Sequence, residues 1–249
     1  MNVIIVGYGS MGRELERVLE ERGHAVKARI DPINPAADRK ELDADTARGA
    51  HMVIEFSAAS AVSANVERYA RLGLNAVVGT TGWYAELERV RATVERAGIG
   101  LLYGSNFSIG AHVFFALVEE AARRLDALTQ YDVSVLEIHH KRKKDSPSGT
   151  AANVADAVLR GSTRKKRVVT DRLDRAIAPD ELHVASLRGG EFPGTHTVLF
   201  DSAADTIELT HSARSRGGFA LGAVMAAEWL EGRKGFFDIT AFVRSLTAK

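Results

Sequence analysis

The sequence predicts an α/β protein in two parts, a doubly wound parallel sheet and an inserted α+β domain of mostly antiparallel strands. The first hundred residues alternate short apolar runs with helical periodicity, which is the pattern of successive βαβ units. The first run, Val3 to Val6, is apolar at every position, as in a strand covered on both faces. After Asn106-Phe107-Ser108 the alternation gives way to one helix and then mostly strand, before a late helix that ends near Gly232. The expected division is residues 1–108 for the parallel sheet, 109–215 for the insertion and 216–249 for a return to the first part.

Each element follows from local pattern. Met11, Leu15, Val18 and Leu19 recur at helical spacing, and Gly23 closes that helix. Ala25 to Ile30 reads as a second strand ending at Asp31. Met52 to Phe56 and Ala76 to Val78 read as further strands, with a helix between them through Val62, Val66 and Tyr69. A helix from Glu86 to Arg96 leads to a strand at Ile99 to Tyr103. The insertion opens with a helix from about Ala111 to Leu125 and an alternating strand, Val133 to Ile138. Ala151, Val154, Ala155, Val158 and Leu159 share one face of a helix that follows Ser148. His183 to Leu187, Thr197 to Phe200 and Thr206 to Thr210 read as antiparallel strands. A helix from Phe219 to Leu230 closes the series.

Composition excludes several classes. A net charge of +1 gives no global field to draw in nucleic acid or an anionic membrane, so neither is an expected partner. No cysteine is present, which removes disulfides, a thiolate nucleophile and Cys-ligated zinc. The chain opens on Asn2-Val3-Ile4-Ile5-Val6 without a basic leader, and no apolar run approaches the ~18 residues of a membrane span. A soluble, cytoplasmic protein is expected.

The run Gly7-Tyr8-Gly9-Ser10-Met11-Gly12 follows a strand and opens a helix, which is the context a dinucleotide site needs. The first glycine permits the tight turn, the second lets backbone approach a pyrophosphate, and the third lets helix and strand pack closely. Asp31 ends the second strand, where a carboxylate accepts from ribose hydroxyls and repels a 2′-phosphate. Pro32 adds no charge, though Arg29, Arg39 and Lys40 are near in sequence, so NADH is favoured over NADPH. Gly79, Thr80 and Thr81, and then Tyr103, Gly104, Ser105, Asn106 and Phe107, follow later strands and fit the same crevice. Each of these two loops alone would serve equally well as an ordinary turn.

The chemical segment is Glu137-Ile138-His139-His140-Lys141-Arg142-Lys143-Lys144-Asp145-Ser146-Pro147-Ser148-Gly149-Thr150. Two histidines and a lysine precede a Ser-Gly-Thr turn that opens a helix. Ser148, Gly149 and Thr150 at a helix start, with His140 alongside, suit a small carboxylate, while His139 and Lys143 carry protons. Adjacent His139 and His140 on a strand point to opposite faces, and no carboxylate-rich helix joins them, so no metal site is expected. The basic runs Lys141 to Lys144 and Arg164 to Arg167 read as solvated faces rather than nucleic-acid patches.

That segment, extended by Ala151, resembles the signature E-x-H-H-x-x-K-x-D-x-P-S-G-T-A of the 4-hydroxy-tetrahydrodipicolinate (dihydrodipicolinate) reductase family. Gly79-Thr80-Thr81-Gly82, Asn106-Phe107-Ser108-Ile109-Gly110, Gly194-Thr195-His196-Thr197 and His211-Ser212-Ala213-Arg214-Ser215-Arg216 resemble its other blocks, in order. The resemblance implies a Rossmann-like domain completed by the end of the chain, with an inserted substrate and oligomerisation domain that forms a homotetramer. It also implies NAD(P)H-dependent reduction of 4-hydroxy-tetrahydrodipicolinate, a small cyclic dicarboxylate, with loss of water, in diaminopimelate and lysine biosynthesis. His139 matches the family's proton donor/acceptor and Lys143 its proton donor, while His140, Gly149 and Thr150 match substrate-binding positions. The chain departs at Ser10, where many relatives carry a basic residue, at Ser146, where alanine is common, and in the extra charges Arg142 and Lys144.

Overall fold

The computed structural model describes residues 1–247, and the chain divides into two units. The first comprises Met1–Ile109 and the chain from Arg216 onward; the second is Gly110–Ser215.

The first unit opens with β1 (Asn2–Val6), α1 (Ser10–Glu21), β2 (Ala25–Ile30) and a short α2 (Ala44–Ala47). It continues through β3 (Met52–Glu55), α3 (Val62–Leu72), β4 (Asn75–Val78), α4 (Leu87–Ala97) and β5 (Gly100–Tyr103). Every strand pairing here is parallel: β1 has β2 on one side and β3 on the other, and β4 and β5 follow outward. The order therefore reverses at β1, and the carboxyl ends of β1 and β3 form the crevice of a doubly wound sheet. The apolar run of β1 has a simple cause. Val3 and Ile5 enter a core that includes α1, whereas Ile4 and Val6 enter a second core with Val62, Val66 and Val90 of α3 and α4. Each fully buried aliphatic side chain there contributes roughly 1.5–3 kcal/mol relative to exposure.

The second unit begins at α5 (Ile109–Leu125), whose first residue still belongs to the first unit. It continues with β6 (Asp132–His139), α6 (Gly149–Gly161), β7 (Arg167–Val169), β8 (Glu181–Arg188), β9 (Thr195–Asp201) and β10 (Thr206–Ser212). The sheet order is β10-β9-β6-β8-β7, and one face packs against α5 and α6 through Phe114, Val118, Val154 and Val158. α5 and α6 approach so closely that a Cβ on Gly161 would lie 2.4 Å from the Glu119 carbonyl oxygen. The sheet is mixed. β9 and β10 run antiparallel as expected, but the strand at His183–Leu187 runs parallel to β6. Helix α6 lies between β6 and β8 in sequence and supplies the crossover that parallel neighbours require.

The chain then returns through α7 (Gly217–Leu230), β11 (Gly235–Asp238) and α8 (Ile239–Thr247). β11 pairs in parallel with β5 and completes a six-stranded sheet. Neither β11 nor α8 is among the elements expected from sequence, since Gly235-Phe236-Phe237-Asp238 is too short to show a period. The basic run Arg164 to Arg167 also needs correction, because it is not wholly a solvated face. Lys165 is 3% exposed, and its ammonium donates to the Glu181 carbonyl at 2.7 Å and meets Asp132 at 2.6 Å.

Candidate active site

In the first unit the glycine turn lies at the reversal of strand order, and its three glycines are there for different reasons. Gly7 has φ +88°, and a Cβ there would lie 2.1 Å from the Phe56 carbonyl oxygen, so the fold itself demands glycine. Gly12 is demanded by the fold as well, since its Cβ would lie 2.4 Å from the Gly7 carbonyl oxygen. Gly9 is not. It has φ −80°, is exposed, and a Cβ there would meet nothing within 4 Å. Packing therefore does not require glycine at position 9, and the bare backbone there leaves the start of α1 open to a ligand such as a pyrophosphate.

Gly7, Gly9 and Asp31 line a cavity of about 450 Å³ together with Phe56, Ser57, Asn65, Lys40 and Arg68. Asp31 accepts the backbone N–H groups of Tyr8, Ile33 and Asn34, each at 2.9 Å. Burial pushes its carboxyl upward, but these three donors outweigh that and hold it below the usual value. The Tyr8 side chain is engaged within the protein: its hydroxyl bonds Glu16, and its ring is flanked by Arg13 and Arg29. Ser10 is exposed and Met11 half-buried in the first turn of α1. Arg29 is committed to Glu16 and Asp38.

The two later loops continue the same edge of the sheet. Gly79 N–H donates to the Glu55 carbonyl and Gly104 N–H to the Val78 carbonyl, so the loops after β4 and β5 stand in line with β3. The Thr80 hydroxyl accepts from Ser57 N–H at 2.7 Å, while Thr81 is exposed beside it. Tyr103 is half-buried, Gly104 buried and Ser105 exposed. Asn106 and Phe107 are buried; the Asn106 side chain accepts the Ser108 N–H at 2.8 Å and turns the chain into α5. Glu55, absent from the sequence reading, lies wholly buried beneath this edge and accepts from Ser57, Asn65 and Tyr69. Burial raises its pKa despite those donors.

In the second unit the chemical segment runs from the end of β6 into α6. Strand alternation puts Glu137 and His139 on the face that packs against α6, and both are buried. One carboxylate oxygen of Glu137 accepts from Ser148 N–H at 3.0 Å, the Ser186 hydroxyl at 2.7 Å and the Arg188 guanidinium at 2.8 Å. The other lies 3.0 Å from His139 Nδ1 and 3.7 Å from His196 Nε2. Burial pushes the Glu137 carboxyl up, but the hydrogen bonds from Ser148, Ser186 and Arg188 dominate and bring it to about 2. His139 is held below its ordinary value, first by burial and then by Lys143, Arg188 and His140, with Glu137 opposing. His196 is lowered to about 4, mainly by burial.

His140 is half-buried and turns away from the buried face, with its N–H on the Phe192 carbonyl at 2.9 Å. Lys143 is half-buried with its ammonium 2.9 Å from the Asp145 carboxylate. Ser148 caps α6: its hydroxyl oxygen accepts Ala151 N–H at 3.1 Å and meets His196 Nε2 at 3.1 Å. That side chain is thus committed within the protein, whereas Gly149 is exposed and Thr150 half-buried at the first turn.

Two members of this cluster, Glu137 and His196, are not evident as functional groups from sequence alone. Glu137 lies on β6 at the start of the motif, and His196 lies in a different strand, β9. With His139 they place ligand-type atoms within 4.8 Å of one another, so a third donor does exist where none was expected. A dication there would face the Arg188 guanidinium already on Glu137 and the field of Lys143. The set therefore fits a carboxylate–imidazole cluster better than a metal centre.

A glycine turn at the strand reversal and a separate buried acid–base cluster define a two-unit oxidoreductase architecture. Family models described as dihydrodipicolinate reductase, N-terminus, and dihydrodipicolinate reductase, C-terminus, match residues 1–107 and 110–243. The chain is 37% identical to the 4-hydroxy-tetrahydrodipicolinate reductase of Christiangramia forsetii over 239 residues, covering 96% of each chain. It is 36% identical to the enzyme of the same name from Methanoregula boonei over 241 residues, covering 93% of each. In fold it is similar to a solved structure titled as dipicolinate-bound dihydrodipicolinate reductase from Paenisporosarcina sp. TG-14. The TM-score is 0.77 at 21% identity, over 97% of this chain and 98% of that one. The chain belongs to the dihydrodipicolinate reductase family, and it is a pyridine-nucleotide-dependent oxidoreductase.

Proposed function

We propose that the protein reduces 4-hydroxy-tetrahydrodipicolinate to tetrahydrodipicolinate with loss of water, as a step in diaminopimelate and lysine biosynthesis. The observation that carries this reading is the buried Glu137–His139 pair, whose histidine lies four residues before Lys143, joined through Ser148 to the first turn of α6. A reduced nicotinamide, when bound, supplies the hydride. Hydride addition leaves electron density on the substrate ring that a proton must quench, and His139 or Lys143 carries that proton. The cationic Lys143 stabilises developing negative charge. Gly149 and Thr150 at the α6 N-terminus, with His140, bind the carboxylates of the small cyclic dicarboxylate, and Ser148 holds that turn in shape.

NADH is the favoured cofactor. The ionised Asp31 opposes a 2′-phosphate, Ser10 and Pro32 offer no cation, and Arg29 is taken by Glu16 and Asp38. Lys40 and Arg68, which also line the cavity, act against this preference, although Arg68 is paired with Glu41 at 3.2 Å. The deciding assay follows NADH oxidation with enzymatically generated 4-hydroxy-tetrahydrodipicolinate, and absence of turnover with either nucleotide would reject the reading. Calorimetry should give an NADH dissociation constant no weaker than that of NADPH.

A homotetramer in the cytoplasm completes the reading. The face of the second sheet opposite α5 and α6 carries Leu136, Ile138, Leu187 and Leu199, with Leu187 54% exposed. A second copy would cover such a surface.

A further inference from the structure

We propose that Glu137 is a positioning residue. Its carboxylate holds the imidazole of His139 with Nδ1 protonated, leaving Nε2 as the nitrogen that exchanges the proton. The inference rests on the reading of His139 as a proton-exchanging group.

Glu137 is clamped. The donors on its Oε1 come from the α6 cap (Ser148) and from β8 (Ser186 and Arg188), so the carboxylate cannot turn without releasing all three. Oε2 is buried, accepts no hydrogen bond of good geometry, and stands 3.0 Å from the equally unmet Nδ1 of His139. Two buried groups left so close are best satisfied by a small ring rotation that places Nδ1–H on Oε2.

The neighbouring imidazole does not compete for that oxygen. Ser148 Oγ, which accepts from Ala151 N–H, also meets His196 Nε2 at 3.1 Å. His196 Nε2 thus has its polar partner in Ser148 and lies 3.7 Å from Oε2, farther than His139 Nδ1 at 3.0 Å. On the far side of His139, a Cβ at Gly194 would lie 2.8 Å from Nε2. The bare glycine, pinned by Ala213 N–H on its carbonyl at 2.9 Å, keeps space beside the reactive nitrogen. The charged or titratable groups around His139 are Glu137 on its own strand, His140 and Lys143 in the next loop, Arg188 on β8 and His196 on β9. Of these only Glu137 is an anion, and so only Glu137 favours the imidazolium.

Glu137→Gln tests the assignment. The amide keeps an acceptor for Ser148, Ser186 and Arg188 but presents an N–H to Nδ1, which forces the ring proton onto Nε2. The expected result is a roughly 10²–10⁴-fold loss of kcat, the range for a misplaced acid/base group. KM and the NADH dissociation constant should stay within about threefold, because the residue touches neither ligand. The alkaline limb of kcat/KM should move to lower pH, since the anion that favours the protonated ring is gone. Nitrogen NMR of the unmodified protein should show His139 as the Nδ1–H tautomer, a readout that does not depend on the variant folding. An Nε2–H tautomer there overturns the inference, as does a Glu137→Gln enzyme with unchanged kcat and pH profile while His139→Gln is inactive. A fully active His139→Gln enzyme instead rejects the underlying reading, and the inference with it.

Discussion

Lys143 carries the clearest single-residue prediction. Its ammonium is tethered by Asp145, which is itself held below the usual carboxylate range by that hydrogen bond, so its position is fixed. Lys143→Ala should lower turnover by roughly 10²–10⁴-fold, the range for losing a positioned proton donor. Nucleotide affinity should hardly change, because no residue of the glycine turn is involved. Steady-state kinetics paired with calorimetry would show the split, and turnover at the unmodified rate would remove Lys143 from the mechanism. Ser148 makes the opposite point. Its type and place suggested a ligand, yet its hydroxyl is consumed by the helix cap and His196.

Among the elements, the glycine turn separates fold from binding. Gly7→Ala should destabilise the protein, because φ +88° is unfavourable for alanine and the new methyl would press on the Phe56 backbone. Gly9→Ala should leave the melting temperature unchanged and weaken nucleotide binding, since no protein atom lies within 4 Å of the added carbon. Thermal denaturation with and without NADH distinguishes the two. If Gly9→Ala bound nucleotide normally, the turn would not contact the pyrophosphate. These contrasts also show what the sequence could carry. Strand β1, the turn and α1 were legible because apolar period, glycine spacing and cap all lie within about twenty residues. The direction of β8 was not, because alternation is the same in parallel and antiparallel strands that cover one face. Nor was the cluster around His139: Ser186 and Arg188 reach Glu137 from 49 and 51 residues away, a separation that leaves no local pattern.

For the molecule as a whole, the buried cluster fixes how stability responds to acid. His196 is lowered from 6.5 to about 4, so the unfolded chain takes up that proton first. The stability associated with a neutral His196 is complete above 6.5 and is lost as pH falls toward 4. Glu137 is lowered from 4.5 to about 2, so its contribution is complete above 4.5 and is lost as pH falls toward 2. Glu55 acts in the opposite sense: its pKa is raised, and its contribution, present at low pH, is lost as pH rises through the folded value. The losses at His196 and Glu137 should therefore lower denaturant midpoints from about pH 6.5 downward, with protonation of Glu55 offsetting part of the fall. Glu137→Gln should flatten the part of that curve below 4.5, and an unchanged curve would show that the carboxylate is not ionised in the fold. Light scattering at low concentration measures assembly independently, with four copies expected and a fully active monomer excluding them.

The route of the chain gives the two units different histories during synthesis. Gly110–Ser215 is one uninterrupted stretch, and all five of its strands precede α7 in the order of synthesis. The Met1–Ile109 segment emerges earlier but waits. One of its two cores needs Ala220, Ala223, Val224, Ala227 and Leu230 of α7, and β5 stays an open edge until Gly235–Asp238 arrives. The half that is made first is thus the half that closes last, and the inserted unit can mature while its host is still unfinished. Until α7 arrives, a premature stop or a stalled ribosome leaves an apolar sheet face and an unpaired strand exposed to other chains.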